Sequence, residues 1–231
     1  MKNNISNSFN ETLKDSDLQN IGGNLSELIL DSVLEDGVLK DIPIVSSIVG
    51  LTNIGIKISD RVLLNKIISF LFELKNIPSE KREEMINKID NSKKHKIKVG
   101  EKLLLIIDKC NDYENSQYTA KLFSSYLAEK INYEDFLRGA NIIQSVEIND
   151  FKNFLNLDKN KIVYNHRTHE NLKYNDVKYL MHVGLFETNT EEISVRAQDD
   201  WKMADQPYVV EGGELTYDIT ELGRMLYDVL N

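Results

Sequence analysis

In this 231-residue chain the soft or imidazole side chains that favour zinc-like metals are few: one thiol, Cys110, and four imidazoles, His95, His166, His169 and His182. His166, His169 and Glu170 lie close in sequence. On a helix, the spacing of three puts both imidazoles near one face, within reach of a shared metal ion. A closed zinc site wants four ligands, and only Cys110, His95 and His182 remain to complete one. The histidines therefore read as surface or DNA-facing groups, and no metal site is expected. Asp199 and Asp200 are adjacent, so on an extended segment they point to opposite faces and do not converge on a cation. Trp201 beside them reads as an anchor to the domain or to a partner. Cys110 closes an apolar run, Leu103 to Ile107, with no histidine near it in sequence, and reads as a core thiol. Gly22-Gly23 and Gly212-Gly213 lack the spacing of a phosphate loop. No G-x-S-x-G, C-x-x-C or H-E-x-x-H phrase occurs. No catalytic residue and no cofactor is assigned, and the expectation is a protein that binds and is not an enzyme.

The bulk properties agree with a globular chain. Hydrophobic residues make up 41%, charged residues 28%, and the net charge is −9. That charge excludes a protein that coats polyanions over its whole surface. A lone cysteine allows no intramolecular disulfide and fits a reducing, cytoplasmic setting. Met1 to Asn24 has no apolar core of the kind a signal peptide needs. The stretch Ile42 to Ile58 is broken by Ser46, Ser47, Thr52, Asn53 and Lys57 and falls short of a membrane span, so a single-pass anchor is not expected. Lys93, Lys94, Lys96 and Lys98 surround His95, but Glu83, Glu84, Asp90 and Glu101 dilute them; an exposed connection between helices accounts for them. The abundance of Asn, Lys and Ile resembles the proteomes of AT-rich bacteria.

The elements that must position these residues follow from periodicity. Residues 1–23 are polar and read as a disordered tail. From Asn24, Leu25, Leu28, Ile29, Val33 and Leu34 recur at spacings of three and four, predicting a capped helix. Pro43 suits the first turn of the next helix, expected to run to about Ile58. Ser59-Asp60 is read as the cap of an almost wholly apolar helix, Val62 to Leu74, central to a bundle or to an oligomer. Ser79 is read as capping a charged amphipathic helix. Three more helices are expected at about Ile97–Asn111, Ser116–Lys130 and from Asn132 through Val146. Residues 24–148 thus read as an all-α bundle of six or seven helices. This part resembles a functionally unassigned type of bacterial helical domain.

After residue 150 β-branched and aromatic residues appear. A helix near Ile148–Leu157, an extended piece at Ile162–Tyr164 and a helix near Asn175–Val183 come first. Extended LFET, a long loop, a strand near Tyr208–Val210, Gly212-Gly213, extended LTYDI and a last helix from Thr220 to Leu230 follow. The phrase Leu180-Met181-His182-Val183-Gly184-Leu185-Phe186 resembles the junction in winged helix–turn–helix domains where the second helix ends at a glycine and enters the first wing strand. Tyr217-Asp218-Ile219-Thr220-Glu221-Leu222-Gly223-Arg224 resembles the phrase that closes the wing and opens the final helix in that family. Residues 149–231 are therefore expected to form a winged-helix-like domain. The overall class is mainly α, a multi-helix bundle followed by a small α+β winged-helix domain. The stretch from Asn189 to Gly213 departs from the family's usual wing in being long and acidic.

Resemblance to winged-helix proteins implies DNA binding or a protein-interaction surface derived from it. The net charge divides into about −4 for residues 1–150, +3 for 151–182 and −8 for 183–231. The positive segment falls where a recognition helix would stand. Lys173, Asn175, Lys178 and His182, with Arg167, are the candidate DNA-contacting residues. Trp201 and Tyr208 are the candidate partner-binding residues. The first expectation is an interaction or regulatory protein that binds other proteins, with self-association through the helical part. The second is a DNA-binding regulator that uses the helix around residues 173–182. The third is a membrane-perturbing effector that uses the apolar helices 42–74.

Overall fold

The computed structural model describes residues 2–20, 42–50, 58–158, 174–190, 192–197, 208–213 and 215–231. Among them are ten α-helices, one 3-10 helix and four strands. The chain divides into two compact units, residues 1–148 with 229–231, and residues 149–228. The expected helix at Asn24, the extended piece at Ile162–Tyr164 and the His166/His169/Glu170 cluster lie outside the described residues.

The first unit opens with a correction. Residues 2–20, read as a disordered tail, form helix α1 (Lys2–Lys14) and a 3-10 turn (Ser16–Asn20). Phe9, Leu13 and Leu18 are buried, and so are Ser8 and Thr12. Small hydroxyls enter a core when their hydrogen bonds are met. The Thr12 hydroxyl donates to Ser8 O at 2.8 Å and accepts the Ile44 amide at 3.1 Å, while Ser8 and Ser47 hydroxyls pair at 2.6 Å. Counting these positions as polar hides a stripe at 8, 9, 12 and 13 that seats α1 against α2 (Pro43–Gly50).

Helix α3 (Ile58–Leu74) begins before Ser59-Asp60, so those residues lie within its first turn and do not cap it. It is the buried centre of the bundle and packs most closely on α6 (Tyr113–Leu127). Helix α4 (Ser79–Asp90) starts after an extended Pro78, and no side chain caps it; Ser79 is its first residue and not its cap. Helix α5 (Val99–Lys109) borrows a cap from the preceding helix, because Asp90 Oδ1 accepts the Val99 amide at 2.8 Å. Helix α6 starts three residues earlier than expected, since Asp112 accepts the amides of Glu114 and Asn115 at 2.8 and 3.0 Å. Helix α7 (Tyr133–Ser145) starts after Asn132, as the sequence indicates, with Oδ1 accepting the Asp135 amide at 2.9 Å.

An aromatic cluster fills the middle of this unit. The Phe123 ring lies 6.0 Å from Phe70, 5.7 Å from Tyr126 and 5.1 Å from Phe136, centroid to centroid. Three buried polar side chains then close helix ends. Lys66 on α3 donates to the carbonyls of Asp108 and Cys110 at the end of α5. Arg82 on α4 donates to Leu74 O at the end of α3 and to Asp15 O just after α1. Asn115 on α6 donates to Ile143 O at 2.7 Å and to Val146 O, at the end of α7. The last carbonyls of a helix have no partner within it, so each donor removes a desolvation cost that burial would otherwise impose. Burial holds the Arg82 guanidinium below its ordinary pKa, with Asp15 and Glu80 opposing.

The second unit contains α8 (Ile148–Leu155), α9 (Tyr174–Met181), four strands and α10 (Glu221–Leu230). Strand β1 (Phe186–Thr190) pairs antiparallel with β4 (Leu215–Ile219), and β2 (Ser194–Ala197) with β3 (Tyr208–Glu211). The sequence reading leaves residues 194–197 in a long loop; they are a strand. Its core joins Phe151, Phe154, Val177, Leu180, Leu185, Phe186, Ile219 and Leu226, all buried. Phe154 meets Phe186 and Tyr227 edge-on at 5.9 Å each, and the Tyr227 hydroxyl donates to Leu157 O at 2.8 Å.

Candidate interaction surface

The two sequence phrases that carry the family resemblance meet in space. Helix α9 ends in a Schellman turn: Leu185 N donates to Leu180 O, and Gly184 N, at φ +83°, to Met181 O. Thr220 then ties this turn to the start of α10. Its amide donates to Leu185 O at 3.0 Å and its hydroxyl to Gly184 O at 2.7 Å, while the same hydroxyl accepts the Gly223 amide at 3.0 Å. This latch sets α9 and the base of the strand ribbon in one fixed relation.

The ribbon has an internal inversion. Partner numbers add to 405 in both strand pairs, from Phe186 with Ile219 to Ala197 with Tyr208. One hairpin register therefore continues through both pairs, with no net residue gained on either side. Opposed residues share a face, and faces alternate along each strand. Near the base, Phe186, Tyr217 and Ile219 share a face with the two threonines of β1, and the opposite face carries Glu187, Asn189, Thr216 and Asp218. Toward the tip, the second parity class carries Val195, Ala197, Tyr208 and Val210, and the first carries Ser194, Arg196, Val209 and Glu211. By residue parity, apolar and polar faces have exchanged.

The exchange occurs at Gly212-Gly213. At Gly212 φ is +85°, and a Cβ there would sit 2.1 Å from Glu192 O. Only glycine allows strands to cross so closely at that backbone angle. At the tip Ile193, Val195, Tyr208 and Val210 are 67, 62, 66 and 65% exposed. On the other face Arg196 pairs with Glu211 at 2.8 Å. Among the described residues the two tip strands thus carry a paired Arg196 and Glu211 on one face and exposed apolar side chains on the other.

Of the expected DNA-contacting residues, Lys173 and Arg167 lie outside the described residues, as does Trp201. Asn175 falls on α9. Lys178 is half-buried, its ammonium 4.8 Å from the Tyr179 ring centroid, and His182 is exposed just after α9. Val177 and Leu180 face the core as the spacing indicates. Tyr208 is exposed opposite Ala197, beside the strand residues Val195 and Val210, which sequence reasoning did not single out. Their signal was the strict alternation of 193–197, Ile-Ser-Val-Arg-Ala. In the first unit Lys94 pairs with Glu134, and His95 stands edge-on to Tyr133 at 5.0 Å, so the lysine-rich connection is tied to α7.

Cys110 follows α5 and is buried, its thiol donating to Ile106 O at 3.4 Å with Thr119 Oγ1 at 3.8 Å. Burial pushes the thiol up to about 11, while the Thr119 hydroxyl and Lys66 pull it down. The folded protein keeps this proton where the unfolded chain, with a thiol near 9.0, loses it. The stability so supplied is full below pH 9 and is lost as pH rises toward 11. Cys110 is expected to resist a disulfide reagent at pH 8 in the folded protein and to react at once in denaturant. Fast labelling of the native protein would contradict the burial.

Among the described residues, no group of three His, Cys, Asp or Glu side chains could hold a metal, and no helix is long and apolar enough to cross a membrane. No family model, no curated protein and no solved structure matches the chain.

Proposed function

We propose that this is a non-catalytic interaction protein whose winged-helix-like second unit binds a protein partner through the tip of its ribbon. One observation carries the reading: three large apolar side chains on one ribbon face, Val195, Tyr208 and Val210, stand more than half exposed, and Ile193 just before the strand is exposed as well. Scattered apolar residues are normal on a surface, but a contiguous cluster marks a contact site. Tyr208 supplies the aromatic body with a polar end that interface centres favour.

The test is affinity purification from the native host, with and without nuclease, using the wild type and a Val195→Ser, Val210→Ser variant. Serine removes apolar surface without adding charge, and both sites are exposed, so thermal stability is expected to change little. The wild type should retain host proteins after nuclease treatment, and the variant should lose them. Equal retention by both proteins would overturn the assignment of the tip.

A second reading, a DNA-binding regulator, is favoured by the exposed His182, the half-buried Lys178 and the +3 balance of residues 151–182. Binding to duplex DNA at low salt that Lys173→Glu with Lys178→Glu abolishes would support it. Unchanged retention on DNA would remove these residues from that role.

A further inference from the structure

Resting on the proposed use of the ribbon tip, we infer that its partner is an extended basic segment of another protein, added as a third strand. Among the described residues β2 pairs only with β3, and β3 only with β2, so both outer edges of this ribbon lack a neighbouring strand. A two-stranded ribbon is marginally stable alone and gains from a third strand, whose backbone amides and carbonyls pair along an open edge. Natural proteins blunt exposed edges with short strands, charged side chains, prolines or bulges. The tip strands Ser194–Ala197 and Tyr208–Glu211 are short but contain no lysine and no proline, and their two charges, Arg196 and Glu211, are taken up by each other. An added strand also continues the side-chain alternation of its neighbour. Every second residue would then extend the apolar face of Val195, Ala197, Tyr208 and Val210.

Charge selects the occupant. Residues 183–231 hold eleven acidic residues against Arg196, Lys202 and Arg224. Arg196 is already paired with Glu211, while Glu187, Glu192 and Asp218 line the ribbon outside that pair. A second copy would bring the same acidic side chains, Glu187, Glu192 and Asp218, against this surface and be repelled. A segment that alternates apolar residues with Lys or Arg meets both requirements at once.

The test uses the full chain and labelled synthetic peptides. The probe is an alternating Lys-Val-Lys-Val-Lys-Val-Lys peptide. Controls are the same composition in two blocks, a Glu-for-Lys version, and the alternating peptide with every backbone amide methylated. Binding is read by fluorescence anisotropy at low and high salt. The alternating basic peptide is expected to bind at least about tenfold more tightly than any control. Its binding should weaken with salt and fall by a similar factor in the Val195→Ser, Val210→Ser variant. Equal binding of the block peptide would reduce the site to charge alone, and equal binding of the methylated peptide would exclude strand addition. Concentration-dependent dimerisation through the tip would overturn the proposal in favour of a second copy. If host proteins are retained through Val195 and Val210 but no peptide discriminates, this inference fails while the protein-binding reading stands. If neither occurs, both fail.

Discussion

Replacing Phe123 with alanine is expected to lower the unfolding free energy by about 4 kcal/mol. The ring is fully buried and lies within 6.0 Å of three other aromatic rings on α3, α6 and α7. Truncation removes the transfer energy of the ring and leaves a cavity. Three aromatic neighbours, each also packed against others, can collapse into it only in part. One of them, Tyr126, has its phenol raised to about 12 by burial, and Tyr133, which packs on Tyr126 and Phe136, is raised by burial in the same direction. A cavity that admitted water would bring both back toward ordinary values. Urea unfolding measures the first effect and ultraviolet titration of tyrosine the second. A loss under about 1 kcal/mol would show that the cluster is not the centre of the core.

Replacing Gly223 with alanine sets two effects of opposite sign against each other. Within a helix, alanine is favoured over glycine by about 1 kcal/mol, so propensity alone predicts a more stable protein. The structure predicts the reverse. A Cβ at position 223 would stand 2.4 Å from Leu185 O and 2.9 Å from Ile219 Cγ1. Leu185 O cannot turn away without giving up the Thr220 amide that it accepts at 3.0 Å. The clash is therefore with a held backbone atom, not with a flexible side chain, and overpacking of that kind costs about 3 kcal/mol. The net expectation is a loss of about 2 kcal/mol after propensity is subtracted, with faster hydrogen exchange at the Thr220 amide. A stabilised variant would show that the close approach of α10 to the α9 turn is not tight.

The same glycine shows how far a sequence carries its own reading. The Leu-Gly-Arg phrase was legible as part of a helix opening that starts at Thr220, because a helix start is local chemistry. The Leu185 carbonyl that makes glycine necessary lies 38 residues away, and no local pattern points to it. Helices α7, α9 and α10 were legible as elements, α7 beginning at Asn132, α9 near 175–183 and α10 from Thr220. Helix α1 was not, because Ser8 and Thr12 count as polar until their hydrogen bonds are seen. Of the candidate surface, Tyr208 was legible as an isolated aromatic. Its relation to Val195 and Val210 needed the hairpin register, which only pairing across residues 194–211 reveals. Buried Arg82 and Lys66 were illegible altogether, since charge in a sequence gives no sign of which helix end will accept it.

Those buried donors make the bundle intolerant of changes in length. A side chain that closes another helix's end works only while that end stands at one height and one rotation. Deleting a single residue within α5 would withdraw its final carbonyls by about 1.5 Å and swing them by about 100° around the axis. The Lys66 ammonium would then face apolar surface where Asp108 and Cys110 now receive it. Related chains should therefore vary in residue type on the exposed face of α5, keep its buried Val99, Leu103, Ile106 and Ile107 apolar, and keep the number of residues between its Asp90-capped start and its Lys66-capped end.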